Sequence, residues 1–200
     1  MNMKEKLRHK YLSLRKTYPK EELTLKSHKL CDNLSKWLRK KSYKNIFSYH
    51  SFRGEPCLAP LFEELSKTHN FFLPRISKDK HMDFYRWQKE QELESNTFGI
   101  LEPKKNFQAK MFPDHETVFL LPVVAVDLWG NRLGYGGGYY DRFLAKYSSF
   151  KKIAVSFEFS ISKNVIPKQD WDQKVSLIAS EKGLYDLTSS ALPSSQETSL

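Results

Sequence analysis

Cysteine is scarce in this 200-residue chain: Cys31 and Cys57 stand alone, with no CxxC spacing. That excludes a disulfide framework and a cysteine-based zinc site, and it suits a reducing, cytoplasmic setting. Long apolar runs are missing too. The longest, residues 118–126, has nine residues with Pro122 inside it, against the roughly 20 that a membrane helix requires. The first 16 residues carry Lys or Arg at positions 4, 6, 8, 10, 15 and 16 with no continuous apolar stretch among them, so export is not expected. The six histidines show neither HxxxH nor HxH spacing, which gives no zinc site and no nucleophile triad. Glycine is sparse at eight residues, and four of them fall within residues 134–138.

Acidic residues are outnumbered by basic ones, and the imbalance is local. Residues 1–44 hold 14 Lys or Arg against 4 Asp or Glu, while the remainder of the chain holds 19 of each. Such a segment can track a nucleic-acid backbone, embrace one small polyanion such as a nucleoside triphosphate, or simply form a solvated helix face.

Hydrophobic spacing gives the elements. Leu7, Tyr11, Leu14 and Tyr18 draw one apolar stripe on a helix over about 3–17 that Pro19 ends. Leu23, Ser27, Leu30, Leu34, Trp37 and Leu38 share a face of a second helix running from Glu21 to about Lys41. A short strand over 46–49 leads to a turn at 53–56 and a helix with Pro56 near its first position. Leu58, Leu61, Phe62 and Leu65 form that helix's buried face, and a strand follows over 70–73. That βαβ order predicts a parallel pair.

Met82, Phe84 and Trp87 mark another strand, and 89–101 reads as irregular connection. Residues 117–127 read as one long central strand buried on both faces, followed by a turn at 127–131, a helix over 138–147, a strand over 152–157 and an apolar run over 175–179. From Leu187 the chain is rich in Ser, Thr and Pro, the composition of a disordered tail. The expected fold is therefore a single α/β domain over 1–186. It has a three-layer open, mostly parallel sheet with helices on both faces and the N-terminal helices packed on it.

The stretch richest in chemical meaning is RLGYGGGYYDR, residues 132–142, between a buried strand and a helix. Glycines at such a joint permit positive φ and close backbone approach, and the first free N–H groups of the helix favour an anion. No Lys-Ser or Lys-Thr follows the glycines, so this is no Walker A loop, and GxGGG is not the dinucleotide spacing GxGxxG. Arg132 and Arg142 flank it, with Asp141 just inside the helix. That combination suits a magnesium-bound triphosphate, since Mg2+ takes one or two carboxylates together with phosphate oxygens. The plainer alternative is a tight joint whose Tyr139 and Tyr140 fill core while Asp141 helps to start the helix.

These residues, with Asn131 before them and LPVVAVD (121–127) leading in, closely resemble the signature of the 5-formyltetrahydrofolate cyclo-ligase, or methenyltetrahydrofolate synthetase, family. KEKLR (4–8), SFRGE (51–55), FLPR (72–75), HMDF (81–84), Gly99-Ile100 with Glu102-Pro103, and the 167–175 segment occur in the family's order. The resemblance implies an ATP- and Mg2+-dependent ligase of one-carbon metabolism that closes 5-formyltetrahydrofolate to 5,10-methenyltetrahydrofolate, releasing ADP and phosphate. It implies the sheet shared with ribose-5-phosphate isomerase and CoA-transferase proteins, and a cytoplasmic monomer whose partners are ATP and the reduced folate, with no nucleic acid and no membrane.

Carried over by position, Lys4, Arg8, Arg132, Leu133, Gly134, Tyr135, Gly136, Gly137, Gly138, Tyr139 and Tyr140 are implied to meet ATP. Glu55, Tyr135, Gly136, Gly137, Gly138 and Tyr139 are implied to meet the folate, with His50 and Phe98 beside it. Asp141 and Asp172 are the implied magnesium ligands, and no residue acts as a nucleophile. Some relatives carry Arg and Lys where this chain has Tyr135 and Gly137, and an Asp where it has Ser176.

Two rival readings differ in class. One is a nucleic-acid-binding module using the basic helices, which would leave the glycine loop unexplained. The other is a sugar-phosphate isomerase or CoA transferase of the same fold, active without ATP.

Overall fold

The computed structural model describes residues 1–77, 79–88, 93–104 and 110–188. Helix α1 (Met3–Lys16) starts at a capping box: the Asn2 side chain accepts from the Glu5 N–H at 2.9 Å, and Glu5 accepts from the Asn2 N–H at 2.8 Å. Pro19 separates it from α2 (Lys20–Leu38), whose Glu21 and Glu22 complement the dipole at its start.

There follow β1 (Asn45–Phe47), α3 (Ala59–Leu65), β2 (Asn70–Ile76), β3 (Met82–Arg86), β4 (Leu93–Ser95), β5 (Leu101–Pro103), β6 (Lys110–Met111), β7 (Thr117–Pro122), β8 (Ala125–Asp127) and β9 (Arg132–Leu133). The chain continues through α4 (Tyr139–Leu144), β10 (Lys151–Val155), β11 (Ile161–Ser162), β12 (Leu177–Ser180) and β13 (Gly183–Asp186).

Eight strands form the main sheet in the order β13-β12-β10-β7-β1-β2-β3-β6. The five central strands, β12 to β2, are parallel, while β3, β6 and β13 pair antiparallel at the edges. Parallel strands are buried on both faces, and β7 shows how. Val118 and Leu120 point into a layer made with α2 and α3, whereas Phe119 and Leu121 point into a layer made with α4. The second layer is aromatic: the Phe119 ring lies 5.2 Å from Phe47 and 6.0 Å from Phe143 and Phe150, centroid to centroid. Emptying that position to alanine costs about 3–5 kcal/mol. No helix among the described residues is long and apolar enough to cross a membrane.

Several expectations need correction. The single strand expected over 117–127 is two strands: at Val123 and Val124 the chain leaves the main sheet, and β8 joins a separate three-stranded sheet, β11-β8-β9. Apolar composition runs on through the break because Val124 and Ala125 are buried against α1, so periodicity alone could not show it. The third helix begins at Ala59 with Pro60, not Pro56, in its first turn. Part of the supposed irregular stretch 89–101 is strand, since β4 pairs antiparallel with β5. The tail expected from Leu187 lies, from 189 onward, outside the described residues. Leu187 itself still donates its N–H to Ser176 O at 3.1 Å.

The chain runs from β1 outward to β2, then returns to β7 on the opposite side of β1 and continues outward to β10 and β12. That reversal is a topological switch point, and the crevice outside the carboxyl ends of the strands there is where open α/β sheets bind ligands.

Candidate active site

A cavity of about 430 Å³ opens at that switch point. Its wall takes His50, Phe52, Arg53 and Glu55 from the segment after β1, Pro74 and Ile76 from the end of β2, and Pro122 from the end of β7. The glycine loop and the start of α4 form a second side; Lys4 and Arg8 of α1, with Gln169, Trp171 and Asp172 from the late loop, form a third. All sixteen residues that the resemblance assigns to the site line this one cavity: Lys4, Arg8, His50, Glu55, Phe98, Arg132, Leu133, Gly134, Tyr135, Gly136, Gly137, Gly138, Tyr139, Tyr140, Asp141 and Asp172; Arg142, the other arginine flanking the loop, is not in the lining and donates to Gly137 O at 2.7 Å.

The loop needs its glycines. Gly136 has φ +103° and Gly138, at the start of α4, has φ +66°, both in the region that side chains with a Cβ resist. A Cβ on Gly136 would also meet the Arg8 guanidinium at 3.5 Å. Arg8 lies over the loop and donates Nε–H to Gly134 O at 2.8 Å. Helix α4 has only six residues, so an anion here is met by loop N–H groups and arginines more than by a long helix dipole.

The acidic and basic side chains at this end are matched. Arg132, nearly buried, donates Nη2–H to Asp141 Oδ1 at 2.6 Å, and the Gln173 N–H adds a bond to the same oxygen at 3.0 Å. Lys4 pairs with Asp172 Oδ2, which also accepts from the Gln169 N–H at 2.7 Å. Among the described residues the hydrogen bonds to each carboxylate fall on one oxygen. The Arg132 Nε is buried without a partner among the described residues, a donor suited to an anion.

The other end is drier. Glu55 is 7% exposed; its Oε2 accepts from the Phe52 N–H at 3.0 Å. Burial pushes its carboxyl up to about 7, against the pull of Arg15, the Phe52 amide and Tyr135. Tyr49, Tyr135 and Tyr140 crowd the same place, and burial raises all three hydroxyls, Tyr135 to about 12. The His50 imidazole is held below its usual range, also by burial. Phe98 stands at the mouth, 53% exposed, its ring 6.5 Å from that of Tyr139.

Of the residues at or beside this site that the sequence leaves unmarked, three bear most on its chemistry. Glu102 lines the wall and accepts from the Asn96 amide at 2.6 Å and the Ile76 N–H at 3.1 Å. Trp171 stands at the rim, 62% exposed. Arg15 is buried behind the cavity on α1. Only Arg15 had a usable signal: Lys4, Arg8 and Arg15 fall at i, i+4 and i+11, one face of a helix. That face is turned inward, so these three are not the solvated charge run the composition allowed.

The sequence model of the 5-formyltetrahydrofolate cyclo-ligase family matches residues 1–181. The chain is 34% identical over 140 residues to the 5-formyltetrahydrofolate cyclo-ligase of Haemophilus influenzae, covering 68% of this chain and 74% of that one. It is 31% identical over 126 residues to that of Escherichia coli K12, covering 61% and 69%. Among solved structures, the 5,10-methenyltetrahydrofolate synthetase of Aquifex aeolicus superposes with a TM-score of 0.81 at 31% identity, over 98% of this chain and 99% of that one. A synthetase from Mycoplasma pneumoniae, at 23% identity and TM-score 0.73, shares the fold over 90% of this chain. With its signature loop, its cavity and a match that runs from the first residue almost to the last strand, the chain belongs to the 5-formyltetrahydrofolate cyclo-ligase family.

Proposed function

We propose that this chain is an ATP-dependent carbon–nitrogen ligase that converts 5-formyltetrahydrofolate to 5,10-methenyltetrahydrofolate. The observation that carries the reading is the two-ended cavity: paired charges around a glycine loop at one end, and a buried carboxylate among tyrosines at the other, within one volume of about 430 Å³. A cavity of that size suits two ligands meeting at their reactive ends, with their tails outside.

In this reading the formyl oxygen attacks the γ-phosphorus of ATP, and the bond from that phosphorus to the bridging oxygen breaks, releasing ADP. N10 of the folate then attacks the formyl carbon, the carbon–oxygen bond to phosphate breaks, and N10 gives up its proton as the five-membered ring closes. The protein supplies no nucleophile; it supplies position and charge. Lys4, Arg8, Arg132 and the loop N–H groups receive the phosphates, with Leu133, Tyr139 and Tyr140 shaping the loop around them. Glu55 accepts from the N–H groups of the pterin, and Tyr135, Gly136, Gly137, Gly138, Tyr139, His50 and Phe98 border the ring.

Asp141 and Asp172 suit a magnesium ion of the kind that keeps waters and phosphate oxygens, because each has an oxygen without a hydrogen bond among the described residues. Bound there, the ion would neutralise charge on the phosphates. Where relatives carry an Asp, Ser176 instead bonds the backbone of Lys152, so this chain has no third carboxylate at that position.

Residues 1–186 act in this reading as one catalytic domain, cytoplasmic and monomeric. Its sheet is of the kind shared with ribose-5-phosphate isomerase and CoA-transferase proteins. Both cysteines are free thiols, as a reducing compartment allows. The inward-facing Lys4, Arg8 and Arg15 favour a small polyanion over a nucleic-acid backbone, which needs cations turned outward.

The deciding experiment mixes protein, Mg2+, ATP and 5-formyltetrahydrofolate and follows the near-ultraviolet absorbance of the methenyl product. Growth of that absorbance only with ATP is the expected result. Its absence with folded protein overturns the reading, and activity without ATP turns it to the isomerase or transferase class.

A further inference from the structure

Arg15 is a charged side chain with only 3% exposure, and no role in substrate binding falls to it from the cavity lining. Burying a guanidinium is expensive unless its donors are met; Nε is buried with no partner among the described residues, so the purpose is stated by the partners of Nη1 and Nη2. Nη2 donates to Val123 O at 2.9 Å and Val124 O at 3.4 Å, the carbonyls at which the chain leaves the main sheet. Nη1 donates to the Tyr135 hydroxyl at 3.3 Å, in the glycine loop. The aliphatic stem lies under Gly54, beside Glu55, where an added Cβ would touch Cδ at 3.4 Å. One side chain thus joins α1, the 53–56 turn, the glycine loop and the β7–β8 break.

We infer that Arg15 is a positioning residue for the folate end of the reaction, holding the Tyr135 hydroxyl and the Gly54–Glu55 turn in register with each other from behind the cavity wall. The inference rests on the reading of the site proposed above. Its electrostatic counterpart concerns the charge of Glu55. The groups facing Glu55 are Arg15 from α1, Tyr49 after β1, Tyr135 in the loop and Tyr140 in α4, with Arg53 beyond Tyr135 and Glu102 beyond Tyr140. Arg15 is foremost among the groups that oppose burial and favour the carboxylate, the form that accepts hydrogen bonds from a pterin. Lys4, Arg8 and Arg15 therefore divide one helix face: two cations toward the nucleotide, one toward the folate.

The test compares wild type with Arg15→Met, Arg15→Lys and Tyr135→Phe, each checked for folding by circular dichroism. The methenyl assay gives KM for each substrate across pH, and a carbon-13 carboxyl titration of the free protein follows Glu55 without any substrate. Arg15→Met should raise the Glu55 midpoint by about one pH unit and move the acid limb of kcat/KM upward with it. It should also raise folate KM about tenfold while ATP KM changes less than twofold. Arg15→Lys, which keeps the charge, should restore the limb but not the whole of the KM.

Should Arg15→Met fail to fold, Arg15→Lys and Tyr135→Phe carry the test: Tyr135→Phe should raise folate KM, and raise it less in the Arg15→Lys background than alone. Folded variants with the wild-type Glu55 midpoint, acid limb and folate KM overturn the inference. A role confined to stability lowers the melting temperature and leaves all three in place, which overturns it equally. Absence of product from wild type itself would instead strike the functional reading, while the carboxyl titration still reads Arg15 against Glu55.

Discussion

The two ends of the cavity handle acid differently. At the glycine-loop end each carboxylate has a cation of its own, Arg132 for Asp141 and Lys4 for Asp172. At the other end Glu55 has no ion pair among the described residues, takes one backbone N–H bond beside the Tyr135 hydroxyl, and is held by burial near neutrality. Paired charges can be exchanged: a metal ion can take the carboxylates while phosphates take the cations, with little net change in charge. A solitary buried carboxyl offers something else, a group whose charge responds to the ligand beside it. In the proposed reading the same residue type thus serves a polyanion at one end and an uncharged heterocycle at the other, and the partner makes the difference.

The largest expected effect tests the paired end. Asp141→Asn keeps the shape, removes the charge, and should lower magnesium-dependent kcat/KM about a hundredfold or more in the methenyl assay while leaving the melting temperature within a few degrees. Wild-type turnover would mean that the Arg132–Asp141 pair only holds α4 in place.

The solitary end comes next. Glu55→Gln should raise folate KM roughly tenfold to a hundredfold and leave ATP KM unchanged, as loss of a charge-assisted hydrogen bond does. The same variant bears on stability. Folding moves this carboxyl from 4.5 to about 7, so the folded state holds the proton more tightly. Its contribution is complete below about pH 4.5 and is lost as pH rises through about 7, on the order of 3 kcal/mol in all. Denaturant unfolding at a series of pH values should show that slope in wild type and a flatter one in Glu55→Gln. Equal slopes would return Glu55 to the ordinary carboxylates.

A smaller effect belongs to Lys4, whose pair with Asp172 is only partly buried. Lys4→Met should raise ATP KM by about tenfold or less, and added salt should weaken ATP binding less in the variant than in wild type. Smallest of all, Phe98→Ala removes a ring from the mouth of the cavity and should cost about threefold in folate KM, read in the same assay.

Much of this contrast is legible in the sequence. The glycine loop, Asp141 and the βαβ order are local features, written in consecutive residues, and the structure has the loop and the parallel strands where the spacing put them. Glu55 was marked by resemblance alone, because nothing in a Gly-Glu-Pro turn tells that the Glu will be buried. The break between β7 and β8 was hidden for a similar reason: Val123 to Val126 are equally apolar whether they continue one sheet or begin another. Arg15 shows the limit most clearly. Its helical phase with Lys4 and Arg8 was readable, but which side of α1 faces inward is decided by partners far along the chain.

Those partners also fix when the site comes into being. Arg8 meets a carbonyl 126 positions away, Arg15 a hydroxyl 120 positions away, and Lys4 a carboxylate 168 positions away. Contacts of such span form late, because loop closure must be complete before they bring any gain. During synthesis α1 emerges well before the residues it docks against. Its partner Asp172 comes 168 positions later, so the third wall of the cavity cannot close until nearly the whole sheet has been made.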